Sequence, residues 1–225
     1  MSTTAGSTTT GSTTTVSPTA GSTTGALSSG GLRTGGFPTT RVPPPTDIDR
    51  PDGPPPTPDA RLGPAALREL LRTKANGSGT CSAEGLRVQS GDVDAALGHR
   101  YTTIRATNIS QQSCTLAGYP GLGFRGEWGT PFGVVAERRE IPLTGLGNEQ
   151  PDQQLRLEPG EVAVAALEWT GSLAGAYDEK ASLLVLQATR GGQPIGVSLV
   201  ADKPDLGAGT SVYIDSWKSA QPERN

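Results

Sequence analysis

Apolar residues are scarce before position 80 and concentrated after it, and this asymmetry limits where the chain can build a core. Residues 1–30 contain 18 Ser or Thr, with Gly and Ala making up most of the rest. Such a segment buries too little apolar surface to offset backbone ordering at ~1–2 kcal/mol per residue, so it is expected to be disordered. Residues 38–58 carry nine prolines, including Pro43-Pro44-Pro45 and Pro54-Pro55-Pro56, and favour an extended polyproline II spacer. Residues 1–60 therefore read as a tether, flexible first and stiff second, that leads to a folded body over residues 80–220. Residues 61–79 read as a short helix and linker, and 221–225 as a C-terminal tail. About 140 residues suffice for one core.

The helix is expected over Asp59–Lys74. Pro64 suits its first turn, Leu67, Leu70 and Leu71 form an apolar stripe, and Asn76-Gly77-Ser78-Gly79 ends it. After Cys81 the period changes to two. LRVQ at 86–89 and RYTTIRATN at 100–108 read as strands. Residues 121–124 and 132–137 read as a hairpin around Trp128. EVAVAALEWT at 161–170 alternates most clearly. Ala163, Ala165, Leu167 and Trp169 lie on one face and Val162, Val164 and Ala166 on the other, so this strand is expected to be central and covered on both sides. SLLVLQAT at 182–189 and TSVYIDSW at 210–217 complete an antiparallel sandwich.

Net charge is −3 and Lys and Arg are dispersed, so the basic stripe that nucleic-acid binding requires is missing. No apolar run approaches the ~18–20 residues that span a bilayer. Met1 leads directly into Ser and Thr without the basic and apolar regions of a signal peptide.

Cys81 and Cys114 are the only cysteines. They form either one disulfide or two free buried thiols. The even count in a chain of low cysteine usage, behind a glycosylation-type stalk, favours the bridge and an oxidising compartment. Closing a loop of about 34 residues this way is worth roughly 3.7 kcal/mol on the chain-entropy estimate. Zinc is disfavoured, because with His99 as the only histidine the Cys/His supply stops at three ligands.

No catalytic residues are expected. Gly121-Leu122-Gly123-Phe124-Arg125-Gly126 spells G-x-G-x-x-G, but Tyr119-Pro120 before it and Glu127-Trp128-Gly129-Thr130-Pro131 after it do not frame a strand-to-helix turn. No serine lies in G-x-S-x-G. His99 reads as a solvated ring beside a turn. Glu158, Glu161, Glu168, Asp178 and Glu179 could serve glycoside hydrolysis only if the fold set two of them ~5–9.5 Å apart across a cleft. An acidic run at Asp47, Asp49 and Asp52 departs from the EF-hand spacing. The candidate binding surface is the aromatic group Tyr119, Phe124, Trp128 and Phe132. These residues either stack on sugars or anchor a partner, or else they fill the core.

One stretch carries a resemblance. Cys81 heads the first strand, a later strand ends in Thr107-Asn108, and Cys114-Thr115-Leu116-Ala117-Gly118-Tyr119-Pro120-Gly121 follows. Leu157-Glu158-Pro159-Gly160-Glu161 then leads into the alternating strand to Trp169, and a last strand ends at Trp217. Over roughly residues 80–218 this resembles the actinobacterial domain of unknown function numbered 4232, found in secreted proteins and lipoproteins. The resemblance implies an immunoglobulin-like all-β sandwich with Cys81 and Cys114 bridged. It also implies export, often with a lipid anchor, and no assigned activity. The expectation is a non-enzymatic, monomeric cell-envelope module that needs no cofactor. Its partner is an envelope protein or glycan, with no nucleic acid, and it touches the membrane only through a lipid anchor absent from this chain. A small-ligand binder with a pocket between the sheet and helix 64–74 is the alternative.

Overall fold

The computed structural model describes residues 55–142, 146–171, 179–199, 205–207 and 209–220. The expected tether therefore lies outside the described residues except for positions 55–60, as do the C-terminal tail and Asp178. A 3-10 turn at Asp59–Arg61 precedes helix α1 (Pro64–Leu70). Among the described residues thirteen strands follow: β1 (Leu71–Thr73), β2 (Leu86–Ser90), β3 (Asp94–Ala96), β4 (His99–Asn108), β5 (Cys114–Leu116), β6 (Gly121–Gly126), β7 (Val135–Arg138), β8 (Leu155–Leu157), β9 (Val162–Thr170), β10 (Ala181–Gln187), β11 (Pro194–Ser198), β12 (Ser211–Ile214) and β13 (Lys218–Ser219).

The protein is an all-β sandwich. One sheet has the order β1-β6-β10-β11 and the other β2-β4-β9-β12-β7, with β3 beside β4 and β13 beside β9. A separate two-stranded ribbon, β5-β8, closes one end. β9 is central, paired along its length with β4 and, on its other side, with β12 and β13. Its alternation divides two cores. Ala163, Ala165, Leu167 and Trp169 face the other sheet among Ile104, Phe124, Leu184 and Leu186. Val164 and Ala166 face outward, where Ile141 and Leu146 cover them. β10 does the same: Leu184 and Leu186 point inward, while Leu183 and Val185 carry α1 through Leu67 and Leu70. Burying one such leucine is worth about 1.5–3 kcal/mol.

Three expectations need correction. The helix stops at Leu70, since Leu71 is already extended (φ −64°, ψ 127°) and pairs with Gly123. Strand pairing at a sheet edge outweighs one more turn of an isolated helix, which is marginal at this length. The Asn76–Gly79 run thus follows a strand rather than a helix. The second correction concerns the Trp128 hairpin, which is brief. Phe132 N–H donates to Phe124 O at 2.9 Å, after which the chain crosses to the other sheet, where β7 runs parallel to β12. A chain that reaches the far sheet from β6 meets that edge in this direction, so one pair of the sandwich is parallel. Third, the sequence reading omitted the hairpin of β3 with β4, turned by Leu97 and Gly98 at φ 50° and 84°. A two-residue turn of this kind needs positive φ at both positions, which leucine rarely adopts. Leu97 is also fully exposed.

Candidate functional site

The four aromatic candidates do not form one surface. Phe124 and Phe132 are 2% and 3% exposed and belong to the main core, so a partner at the surface cannot reach them. The pleat explains Phe124, which shares the inward face of β6 with Leu122, and the main-chain bond to Phe124 draws Phe132 in. Tyr119 and Trp128 are half-buried. They flank opposite ends of β6, roughly 20 Å apart for six extended residues. The Trp128 N–H is held by Glu179 Oε1 at 2.7 Å.

Tyr119 stands where five segments meet. Gly118 N–H donates to Pro151 O, Trp217 N–H to Gly118 O, Arg190 N–H to Gly77 O and Asn76 N–H to Tyr119 O. Asn76 Oδ1 accepts from Tyr119 N–H at 2.9 Å. Gly118 has φ +71°, and a Cβ on it would lie 2.5 Å from Gly77 Cα, so only glycine fits this crossing. The crossing forms one side of an open groove of about 480 Å³, lined by Asn76–Gly79, Ala117–Tyr119, Pro151, Asp152 and Arg190. Asp152 and Arg190 supply charge to it and Tyr119 supplies a ring.

Tyr119 is also tied to an ionic chain in which the Glu140 side chain is 46% exposed while Lys218 and Asp215 are buried. Its hydroxyl donates to Glu140 at 2.6 Å. Lys218 Nζ donates to the other Glu140 oxygen at 2.9 Å and to both Asp215 oxygens at 3.1 and 3.0 Å. Asp215 is fully buried and also accepts Ser216 N–H at 2.7 Å. Burial pushes the Asp215 carboxyl above the ordinary range, with Lys218 pulling the other way. Burial also lifts Glu140, but hydrogen bonds from Tyr119 and Lys218 outweigh it and hold the group below its usual value. Lys218 is lowered by burial and raised more by Glu140 and Asp215, ending above its usual value. Burial and the Glu140 hydrogen bond raise the Tyr119 hydroxyl far above its own.

These directions oppose one another in acid and agree in alkali. Glu140, with a lowered folded pKa, adds stability that disappears as pH falls through that pKa. Asp215, raised, contributes in the opposite sense across the same region. Tyr119 and Lys218 are both raised above ordinary values of 10.0 and 10.5, so the stability they supply is complete below those values. It is lost as pH rises further, because the unfolded chain then holds fewer protons than the folded one. Urea midpoints should fall steadily above about pH 10, and Tyr119→Phe should flatten that limb. An unchanged slope in Tyr119→Phe would refute the link.

The carboxylates considered for hydrolysis are engaged separately. Glu158 pairs with Arg156 at 2.6 Å, Glu161 accepts Glu158 N–H at 2.8 Å, and Glu179 holds Trp128 N–H. Glu168 lies between His99, at 2.9 Å from Nδ1, and Arg139, which also stacks 3.9 Å over the Tyr213 ring. His99 is thus half-exposed and oriented, rather than a free solvated ring. Among the described residues no group of three or more His, Cys, Asp or Glu could hold a metal ion. No described helix is long and apolar enough to cross a membrane.

The pocket expected between sheet and helix is filled by Leu67 and Leu70 on Leu183 and Val185. The apolar gap between the sheets, beside Ile104, Phe124 and Trp169, has about 20 Å³ of free space. That is room for a single water, far below the ~300–1,000 Å³ of ligand sites.

Cys81 and Cys114 are bonded, with Cα atoms 4.9 Å apart. Their bridge ties the chain before β2 to the end ribbon rather than joining the two main sheets. Residues 81–221 match a family described as a domain of unknown function (DUF4232), which covers more than half of the chain. The chain belongs to this family. No curated protein and no solved structure matches it. The DUF4232 match includes the ionic chain and one side of the groove, and leaves Asn76–Gly79 on the other side outside its bounds.

Proposed function

We propose that this protein is an exported, non-enzymatic binding module of the cell envelope. Its groove takes an extended polar ligand, a glycan chain or a peptide segment of the envelope. The groove itself carries the reading: one aromatic ring and one charge of each sign line an open concavity of about 480 Å³. Tyr119, a lining residue, is bonded to a group of perturbed titratable residues, as is common at functional sites. The disulfide supports an oxidising compartment. A Ser/Thr- and Pro-rich leading segment suits a tether, with a lipid anchor attached ahead of it in the precursor. The acidic net charge and separately engaged carboxylates favour binding over nucleic-acid recognition or hydrolysis.

Soluble cell-wall glycan fragments and wall-derived peptides, titrated into labelled protein, should shift amide resonances at Asn76–Gly79, Ala117–Tyr119 and Asp152. Asp152→Ala should weaken that binding by about tenfold, the value of one hydrogen bond to a charged group. Saturable binding that moves only resonances around Trp128 would overturn the assignment, and so would no binding of either class.

A further inference from the structure

The family match begins at Cys81, yet the chain just before it is built into the fold. Leu71 and Thr73 form the edge of the four-stranded sheet against Gly123 and Leu122. α1 lays Leu67 and Leu70 on Leu183 and Val185. Asp59 reaches the buried guanidinium of Arg125, and Ala75 N–H donates to Gln187 Oε1 at 2.9 Å. This contact also explains the G-x-G-x-x-G run. A Cβ on Gly121 would lie 2.6 Å from Ala75 N, one on Gly123 would overlap Leu70 O, and one on Gly126 would overlap Glu179. Two of the three glycines leave main chain bare where residues 70–75 lie.

We propose that residues 59–80 are a detachable arm, an added helix-and-strand segment seated on an acceptor surface of the family domain. The arm completes the groove by supplying the Asn76–Gly79 wall. Its removal breaks the β1–β6 ladder and uncovers Leu183 and Val185 on the outer face of β10, and it leaves the core between the two sheets intact. Asp59, at the start of the arm, meets Arg125 and lies near the end of β6 away from the groove. Displacement transmitted along the chain before residue 59 therefore loosens the Asp59 contact and α1 first, and the groove wall last. The disulfide sets the limit, because Cys81 is bonded to β5 directly after the arm. A ligand that grips both walls must favour the docked arm by the same factor by which the docked arm favours the ligand. This coupling rests on the groove assignment above; the detachment does not.

Hydrogen exchange of the full chain, followed by mass spectrometry, tests the arm without any ligand. Amides of residues 67–80 should exchange at least about tenfold faster than those of β4 and β9, as a lower-stability cooperative unit does. Gly123→Ala, whose added Cβ would meet Leu70 and Leu71, should accelerate the arm about tenfold further and leave β4 and β9 unchanged. Asp59→Ala should act the same way more weakly, and serves if Gly123→Ala does not fold. Equal protection of arm and body in the wild type would overturn the proposal, as would uniform acceleration in either variant. Glycan-fragment titrations report on the groove separately, so either proposal can fail while the other stands.

Discussion

Lys218→Met should lower the free energy of unfolding by about 3–5 kcal/mol near neutral pH, the usual result of removing one partner of a buried ion pair. Lys218 is 9% exposed at its side chain and Asp215 not at all, so the variant leaves a carboxylate in the interior facing only the Ser216 amide. Methionine fills a similar volume, which keeps a packing defect from dominating the loss. The loss should shrink as pH falls, because Asp215 already has a raised pKa and takes up a proton more readily once its counter-ion is gone. Asp215→Asn combined with Lys218→Met should recover most of the stability, since a neutral amide is far less costly to bury than a charge. Urea denaturation of the wild type, both single variants and the double variant closes the cycle. A loss under about 1 kcal/mol in Lys218→Met would mean that the pair is solvated and the ionic chain is not a structural element.

The second large effect concerns the disulfide. The bond closes a loop with a sequence separation of 33, and replacing both cysteines by alanine should cost about 3–4 kcal/mol, chiefly through the freer unfolded chain. For a domain of this size that corresponds to roughly 10 °C in the midpoint of thermal unfolding. Reduction of the wild type should reproduce the shift, because the described chain holds no other cysteine. A midpoint that stays within about 2 °C in both reduced protein and double variant would remove the bond from the stability argument.

The two predictions also mark the limit of what the residues disclose. The cysteine pair was legible because there are only two, and the alternating strands because period two reports burial directly. β9 shows this best: alanines and valines fill both faces, so its central place followed from composition. β1, β3 and β11 escaped for a physical reason. They are three to five residues long, lie at edges, and their patterns of exposure carry little alternation. Tyr119 reads from the sequence as part of an aromatic face, and in the fold it lines a groove apart from the other three aromatics. Its partners Glu140, Asp215 and Lys218 were missed entirely. A trace of the pair existed in Ile214-Asp215-Ser216-Trp217-Lys218, where an acid and a base stand among apolar residues that must be inside.

Composition and periodicity determined, unaided, that the chain after about residue 80 is β-rich, that its central strand is covered on both faces, and that its two cysteines suit a bridge. Only the tertiary structure decided which strands are neighbours. It sent β7 into the far sheet beside β12, brought Asn76 to Tyr119 and Glu140 to Lys218, and seated the arm on the bare backbone of Gly121 and Gly123. Periodicity tells a side chain which face it occupies. Partners 40 to 80 residues apart are chosen by register and crossing, whose energies arise only when both segments are in place.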